Sequence, residues 1–262
     1  MIHFEKFHGA GNDFILIDNR KNNIKLTRKL VFDFCHRRFG VGADGLIELL
    51  PSLEKNIHYK MKYYNSDGEE GSFCGNGGRS FAAFANFLGL CEKKITFEAT
   101  DGIHQAEILS SEGDSWQISL EMKDVDILKK LDDNEYFLNT GSPHAVIFVH
   151  NTDLADVEGM GKMVRHQERF APEGTNVNFV SAEKGIISVR TYERGVEAET
   201  FSCGTGVTAS AIAASEYYNL SENTIPIKTL GGNFTVQFEK KNQSFHNVLL
   251  NGPVKKVFSG EI

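Results

Sequence analysis

The chain has 262 residues, 40% of them hydrophobic and 24% charged, with a formal net charge of −7. That length buries a sizeable core as one large domain or two ordinary ones, without disulfides or metal. The acidic balance, with Lys and Arg only singly or in pairs such as Arg37-Arg38, Lys93-Lys94 and Lys129-Lys130, excludes a surface built for phosphate backbones, so nucleic acid is not an expected partner. Five prolines and no low-complexity tract exclude long disordered segments.

No apolar stretch approaches the length of a membrane span, and a membrane partner is not expected. The opening MIHFEKFHGAGNDF has charges and glycines where a signal peptide carries an unbroken apolar run, so the cytoplasm is the expected compartment.

In chain order, strand-like Ile15–Asp18 comes first, then a helix over Arg28–Arg38 with Thr27 as its N-cap. A strand over His58–Asn65 leads to Cys74-Gly75-Asn76-Gly77 and a helix over Arg79–Leu88. Strands follow at Ile95–Ala99, His104–Leu109 and Gln117–Glu121. The polar run KDVDILKKLDDNE then separates WQISLEM from YFLNTG and marks a domain boundary within 118–135. The second part has strands at Ala145–Val149 and Ile186–Tyr192, then Cys203-Gly204-Thr205-Gly206 and a helix over Val207–Tyr218. Strands at Asn233–Phe238 and Val248–Asn251 complete it. Several strands alternate apolar and polar residues, as half-buried antiparallel strands do. The two helices after the cysteine motifs are apolar nearly all round, which predicts burial.

The chain is written twice. The motif at Cys74 recurs 129 positions later at Cys203. GNDFILI from Gly11 faces GSPHAVI from Gly141 at an offset of 130, Arg38-Phe39 faces Arg169-Phe170 at 131, and ITFEATDG from Ile95 faces IPIKTLGG from Ile225 at 130. Four echoes in one order at nearly constant offset predict two similar halves. The expected architecture is α+β: two pseudo-symmetric domains, 1–118 carrying Cys74 and 119–262 carrying Cys203. Each is a curved, mostly antiparallel, barrel- or roll-like sheet around a buried central helix. The tail 252–262 packs back onto the first domain, and the active site lies in the cleft between the two.

Of the four cysteines, Cys35 sits inside an amphipathic helix and Cys91 just after a helix end, where a thiol is an ordinary small hydrophobe. Cys74 and Cys203 alone share the repeat. Each stands where a glycine turn feeds a helix N-terminus, whose unpaired N–H groups and partial positive charge lower a thiol's pKa and attract an anion such as a carboxylate. Two opposed thiols, one ionised and one not, suit removal of a proton from one face of a carbon and its return to the other. A cofactor-independent racemase or epimerase is therefore the expected chemistry.

Other motifs carry less. Gly40–Gly45 fits GxGxxG, but a helix-like segment precedes it and the strand-like LIELL follows, the reverse of a dinucleotide fingerprint. His8 in its glycine loop reads equally as a cleft residue or a locally hydrogen-bonded one. The other histidines show no ligand spacing, and the wide cysteine spacing has no CxxC pair, so neither metal nor cofactor is expected.

FHGAGNDFILID, RRFGVGADGL, YYNSDGEEGSFCGNGGRS, NTGSPHAV, PEGTNVNFV and TYERGVEAETFSCGTG together closely resemble the diaminopimelate epimerase family over essentially the whole chain. The resemblance implies interconversion of LL- and meso-2,6-diaminopimelate, a step toward lysine and peptidoglycan, with Cys74 and Cys203 as the two bases. It implies that the backbone of Gly75-Asn76 and Gly204-Thr205 holds the reacting carboxylate. Asn12, Asn65, Asn176, Glu193 and Arg194 would grip the rest of the substrate, while His144 and Glu193 tune the cysteines. A homodimer is implied as well. Two positions depart from the pattern: Ser142 where many members have Asn, leaving Ser142 only a possible contact, and Gly45 where many have Gln.

Competing readings are a proline or hydroxyproline racemase, which would share the two-cysteine chemistry but usually reads CGH rather than CGNG, and a relative of the phenazine-biosynthesis isomerases, which lack the cysteine pair. A non-catalytic thiol-redox protein on the same scaffold is separated by turnover. A cysteine hydrolase leaves the second matched cysteine unexplained.

Overall fold

The computed structural model describes every residue except positions 22, 56 and 58. His58, read from the sequence as the start of a strand, lies outside the described residues. The chain divides into two compact units, Met1–Leu120 with Gly252–Ile262, and Glu121–Asn251.

The first unit is a closed eight-stranded barrel. Its strands are β1 (His3–Gly9), β2 (Asn12–Asp18), β3 (Gly45–Pro51), β4 (Tyr59–Asn65), β5 (Lys94–Ala99), β6 (Gly102–Glu112), β7 (Ser115–Glu121) and the last part of β16 (Ser244–Glu261). They lie in that order, and β16 closes the ring by pairing with both β7 and β1 (Gly252↔Ile118, His3↔Glu261). Phe14–Ile17 in β2 are buried on both faces, which matches their unbroken apolar run beside a parallel neighbour.

The second unit orders β8 (Lys129–Asp132), β9 (Glu135–Asn139), β10 (Pro143–Phe148), β11 (Asn176–Glu183), β12 (Ile186–Glu193), β14 (Thr224–Thr229), β15 (Gly232–Lys241) and the first part of β16. The short β13 (Ala198–Thr200) pairs with β12. A bridge between Val125 and Phe245 draws the segment before β8 onto β16.

The duplication is visible in the ladder pattern. From β1 to β7 successive pairings run antiparallel, parallel, antiparallel, parallel, antiparallel, antiparallel. From β9 through β10, β11, β12, β14 and β15 to β16 the same series repeats. A mostly antiparallel sheet with two parallel crossovers per unit is thus built twice.

Four α-helices occupy matching places. α1 (Arg28–Cys35) lies between β2 and β3, α2 (Gly75–Phe87) between β4 and β5, α3 (Val157–Arg165) between β10 and β11, and α4 (Gly204–Tyr217) between β13 and β14. α2 packs on β1 to β4 and β6, and α4 on β9 to β12, β14 and β15. Each is buried nearly all round, as its apolar composition requires.

Thr27 caps α1 as expected, its hydroxyl accepting the Leu30 N–H at 3.3 Å. The helix ends at Cys35 rather than Arg38, because His36 turns to an extended conformation and its Nδ1 accepts the N–H groups of Arg38 and Phe39. α3 was not legible in the sequence, since Gly159 and Gly161 weaken its helix propensity. Gly161 is required there because a Cβ would strike the Tyr192 side chain. β1, β8, β9, β11, β13 and β14 also go beyond the sequence reading; β14 carries Pro226 in its interior.

Candidate active site

Both shared cysteines are helix N-caps. Cys74 has φ −115° and ψ 122°, Cys203 φ −118° and ψ 113°, and neither helix has a side-chain cap. The sequence placed each glycine motif in a turn ahead of its helix; in fact the helices start at Gly75 and Gly204, so the motif is itself the first turn. That corrects the expected starts at Arg79 and Val207. The physical consequence is stronger, because the helix N-terminus, with its outward N–H groups and positive dipole end, begins at the residue after each sulfur.

In the first unit, Asn12 connects the sulfur to a charged network. Its Nδ2 donates to Asp44 Oδ2 at 2.8 Å, which fixes its amide orientation. Its Oδ1 therefore faces Cys74 Sγ at 3.6 Å and Asn76 Nδ2 at 3.4 Å. Asn76 is anchored in turn by Arg79, whose Nη2 donates to Asn76 Oδ1 at 2.6 Å and whose Nη1 donates to the Gly75 carbonyl. Arg79 is fully buried; burial lowers its pKa to about 10, and the Cys74 charge opposes that shift. The guanidinium therefore remains a cation at neutral pH beneath the first turn.

Below Asn12, Lys6 and Arg37 converge on Asp13, with Arg37 also reaching Asp44. Burial alone would raise the Asp13 pKa, but hydrogen bonds from Arg37 and Lys6 outweigh it and hold the carboxyl well below the usual range. Lys6 also donates to the Gly42 carbonyl. The GxGxxG-like segment is thus a loop pinned by ion pairs between α1 and β3.

Asn65 ends β4, where its backbone closes a turn with Gly68 and Glu69 and its side chain is exposed. Gly45 has a structural explanation: a Cβ there would strike the Tyr63 ring and the Tyr64 carbonyl. Tyr63 occupies the volume that a larger residue at position 45 would take. His8 makes the local contact, its Nδ1 accepting the Gly11 N–H across the β1–β2 turn.

In the second unit, Cys203 Sγ lies 3.4 Å from the Thr205 hydroxyl. Thr205 Oγ1 lies 3.1 Å from Ser142 Oγ, which also meets His144 Nε2 at 3.0 Å and Asn176 Nδ2 at 3.2 Å. Thr140 holds the Thr205 carbonyl. His144 is fully buried, and burial, then the Arg194 charge, lower its pKa to about 3, so the ring is neutral. Asn176 Oδ1 accepts the Arg194 N–H, while the Arg194 guanidinium lies 3.7 Å from Glu173 and is partly exposed. Glu193 accepts from the Thr200 hydroxyl.

Asn178, not singled out in the sequence, is fully buried and braces His144. Its signal was the alternation in Asn176-Val177-Asn178, which puts both asparagines on one strand face. Gly206 is required because a Cβ there would meet Asn178 Oδ1. Arg79 and Asp44 were also missed.

The two remaining cysteines differ. Burial pushes the Cys35 thiol up to about 12 and raises that of Cys91. Among the described residues, no three His, Cys, Asp or Glu side chains gather as metal ligands, and no helix is long and apolar enough to cross a membrane.

Residues 4–126 and 136–257 match the family model described as diaminopimelate epimerase. The chain is 46% identical to the diaminopimelate epimerase of Flavobacterium psychrophilum, with 98% of each chain covered. It is 39% identical to that of Chlorobaculum tepidum, covering 97% of this chain and 98% of the relative. Among solved structures, a Bacillus anthracis phenazine biosynthesis protein of the PhzF family matches with TM-score 0.78 at 14% identity, covering 100% and 98% of the two chains. A probable proline racemase from Agrobacterium radiobacter matches with TM-score 0.71 at 15% identity, covering 100% and 93%. At such identities these likenesses show the fold alone, and they agree with the two-unit α+β architecture.

Proposed function

The chain belongs to the diaminopimelate epimerase family of isomerases, and we propose that it interconverts LL- and meso-2,6-diaminopimelate by two-base proton transfer without a cofactor, Cys74 and Cys203 acting on opposite faces of one α-carbon. The observation that carries this reading is the matched pair of sulfurs. Each caps a buried helix with nearly the same backbone geometry, and each meets a side chain able to exchange a hydrogen bond with it, Asn12 or Thr205.

Inversion without a cofactor needs one group to take the α-proton and another to supply a proton from the far side. A thiolate and a thiol do this and exchange roles with direction, so their titrations are coupled. The α-proton is weakly acidic, so the developing carbanion needs electrostatic support. The two helix N-termini at Gly75-Asn76 and Gly204-Thr205 provide N–H groups and positive dipole ends for the reacting carboxylate. The Arg79 cation adds to the field on the Cys74 side.

The far end of the substrate carries a second carboxylate and ammonium. Arg194 suits the carboxylate in bidentate fashion, with Asn12 and Asn65 adding amide contacts and Asn176 holding the Arg194 backbone in place, and Glu193 suits the ammonium. His144 acts as a neutral positioning group rather than as an acid. The polar distal set favours diaminopimelate over proline or hydroxyproline, which have no second charged end. We propose a cytoplasmic enzyme and, on the family resemblance, a homodimer.

Incubating reduced protein in D2O with LL-diaminopimelate, proline and lysine in parallel tests this reading. Deuterium at the α-carbon of diaminopimelate alone, with the meso isomer appearing, is the expected result. Deuterium in proline instead would replace the substrate. No exchange from folded protein with reduced thiols would overturn the enzymatic reading in favour of a thiol-redox role.

A further inference from the structure

We propose that Ser142 and Thr205 form a one-way hydroxyl relay that delivers a hydrogen bond to Cys203, making Ser142 a positioning residue for the Cys203 thiolate. Its catalytic meaning rests on the epimerase reading above. The direction of the relay follows from groups that can only donate or only accept.

Asn178 Nδ2 lies 3.1 Å from the Ala145 carbonyl, which only accepts, so this atom is the amide nitrogen. The same nitrogen lies 3.1 Å from His144 Nδ1, which must therefore accept. The ring is neutral, so its single N–H is on Nε2 and donates to Ser142 Oγ. Asn176 is fixed as firmly: its Oδ1 takes the Arg194 N–H at 2.9 Å and its Nδ2 faces the Pro143 carbonyl at 3.0 Å. It too donates to Ser142.

Ser142 Oγ thus accepts twice. Its own hydrogen goes to its remaining partner, Thr205 Oγ1. Thr205 accepts that bond and turns its hydrogen to Cys203 Sγ. A sulfur that receives a hydroxyl hydrogen is favoured as thiolate. Cys74 faces the opposite arrangement, since the oriented Asn12 presents a carbonyl oxygen that only accepts.

Other charged groups stand on the strands packed against α4. Glu135 pairs with Arg169, Arg190 with Glu199, and Glu193 accepts from Thr200. Lys228 on β14, Glu183 at the end of β11 and the Glu239–Lys241 end of β15 are exposed. His144 is joined to Cys203 through Ser142 and Thr205.

The test is an ultraviolet titration of thiolate absorbance in the Cys74→Ser protein, where the second matched thiol is removed and burial moves the Cys35 and Cys91 thiols upward. Thr205→Val should raise the Cys203 midpoint by about one pH unit, the scale of one hydrogen bond to a charged acceptor. Thr205→Ser should restore it, and Ser142→Ala should shift it in the same direction by less. An unchanged midpoint in folded Thr205→Val protein overturns the relay. A shifted midpoint in variants whose parent shows no exchange in D2O overturns the epimerase reading and leaves the relay standing.

Discussion

Arg79 Nη2 lies 2.6 Å from Asn76 Oδ1, so the first turn of α2 is tied to a cation one turn further along the same helix. Asn76 passes that anchorage to Asn12, and Asn12 faces the Cys74 sulfur. The matching helix α4 has Thr208 at the equivalent place, its hydroxyl bonded to the Gly204 carbonyl. The surroundings of Cys74 are therefore braced by a buried charge and those of Cys203 by neutral hydroxyls and amides.

Arg79→Met removes the donors of Asn76 Oδ1 and the Gly75 carbonyl while keeping most of the volume. We expect a loss of about 1–3 kcal/mol from the stranded Asn76 acceptor, measured by urea unfolding. The kcat should fall as well, because Asn76 and Asn12 lose their register. A variant as stable and active as the parent would contradict this role.

On the proposed two-base mechanism, Cys74→Ala and Cys203→Ala should each reduce epimerisation by at least about 10³-fold, since each removes one of two proton carriers. Thermal midpoints should stay near the parent's. Near-normal turnover in either single variant would rule out the two-base mechanism.

His144 gives a pH dependence of defined sign. Burial holds its folded pKa near 3, below its unfolded value, so the unfolded chain binds a proton that the folded one does not. Its stability contribution is intact above pH about 6.5 and is lost as pH falls toward 3, at up to about 1.4 kcal/mol per pH unit. His8, also lowered by burial, adds to the same window. Urea unfolding between pH 7 and pH 5 should show a shallower slope in His144→Gln than in the parent; equal slopes would refute the assignment.

Asp13→Asn tests the network beneath Asn12. Lys6 is buried, and its Nζ lies 2.7 Å from Asp13 Oδ2. Removing that carboxylate leaves a buried ammonium without its counter-charge, which should cost about 3 kcal/mol or more by urea unfolding. Arg37 is partly exposed and its loss should matter less. A cost for Arg37→Ala larger than for Asp13→Asn would reverse this ranking.

Gly206→Ala places a Cβ against Asn178 Oδ1, so either α4 or Asn178 must move. We expect destabilisation of about 1–3 kcal/mol by overpacking, together with lost activity, because Asn178 sets the His144 tautomer. Unchanged unfolding and turnover would show that the contact relaxes freely.

The sequence carried the family and the two matched motifs because these signals are local. Two CGxG motifs at a 129-residue spacing, each followed by an apolar run, identified the sulfurs and the buried helices. Period-two alternation located most long strands, and a Thr before a periodic run located the cap of α1. It also flagged Ser142 as a departure, but not its role, since partners such as Thr205 and Asn176 are far away in the chain.

Only the tertiary structure decided how hydrogen bonds run. Donors and acceptors are equivalent in a sequence; they acquire direction when a carbonyl such as that of Ala145 or a carboxylate such as Asp44 fixes one amide in place. It likewise decided that Arg79 braces Asn76 and Asn178 braces His144, because burial turned an ordinary helix cation and a strand amide into groups that must be satisfied. The order of the strands and the parallel crossovers were set the same way, by long-range pairing that no local period encodes. What the amino-acid order determined was which two sulfurs share a motif and a helix N-terminus; which way the protons around them point was left to packing, because direction is a property of neighbours.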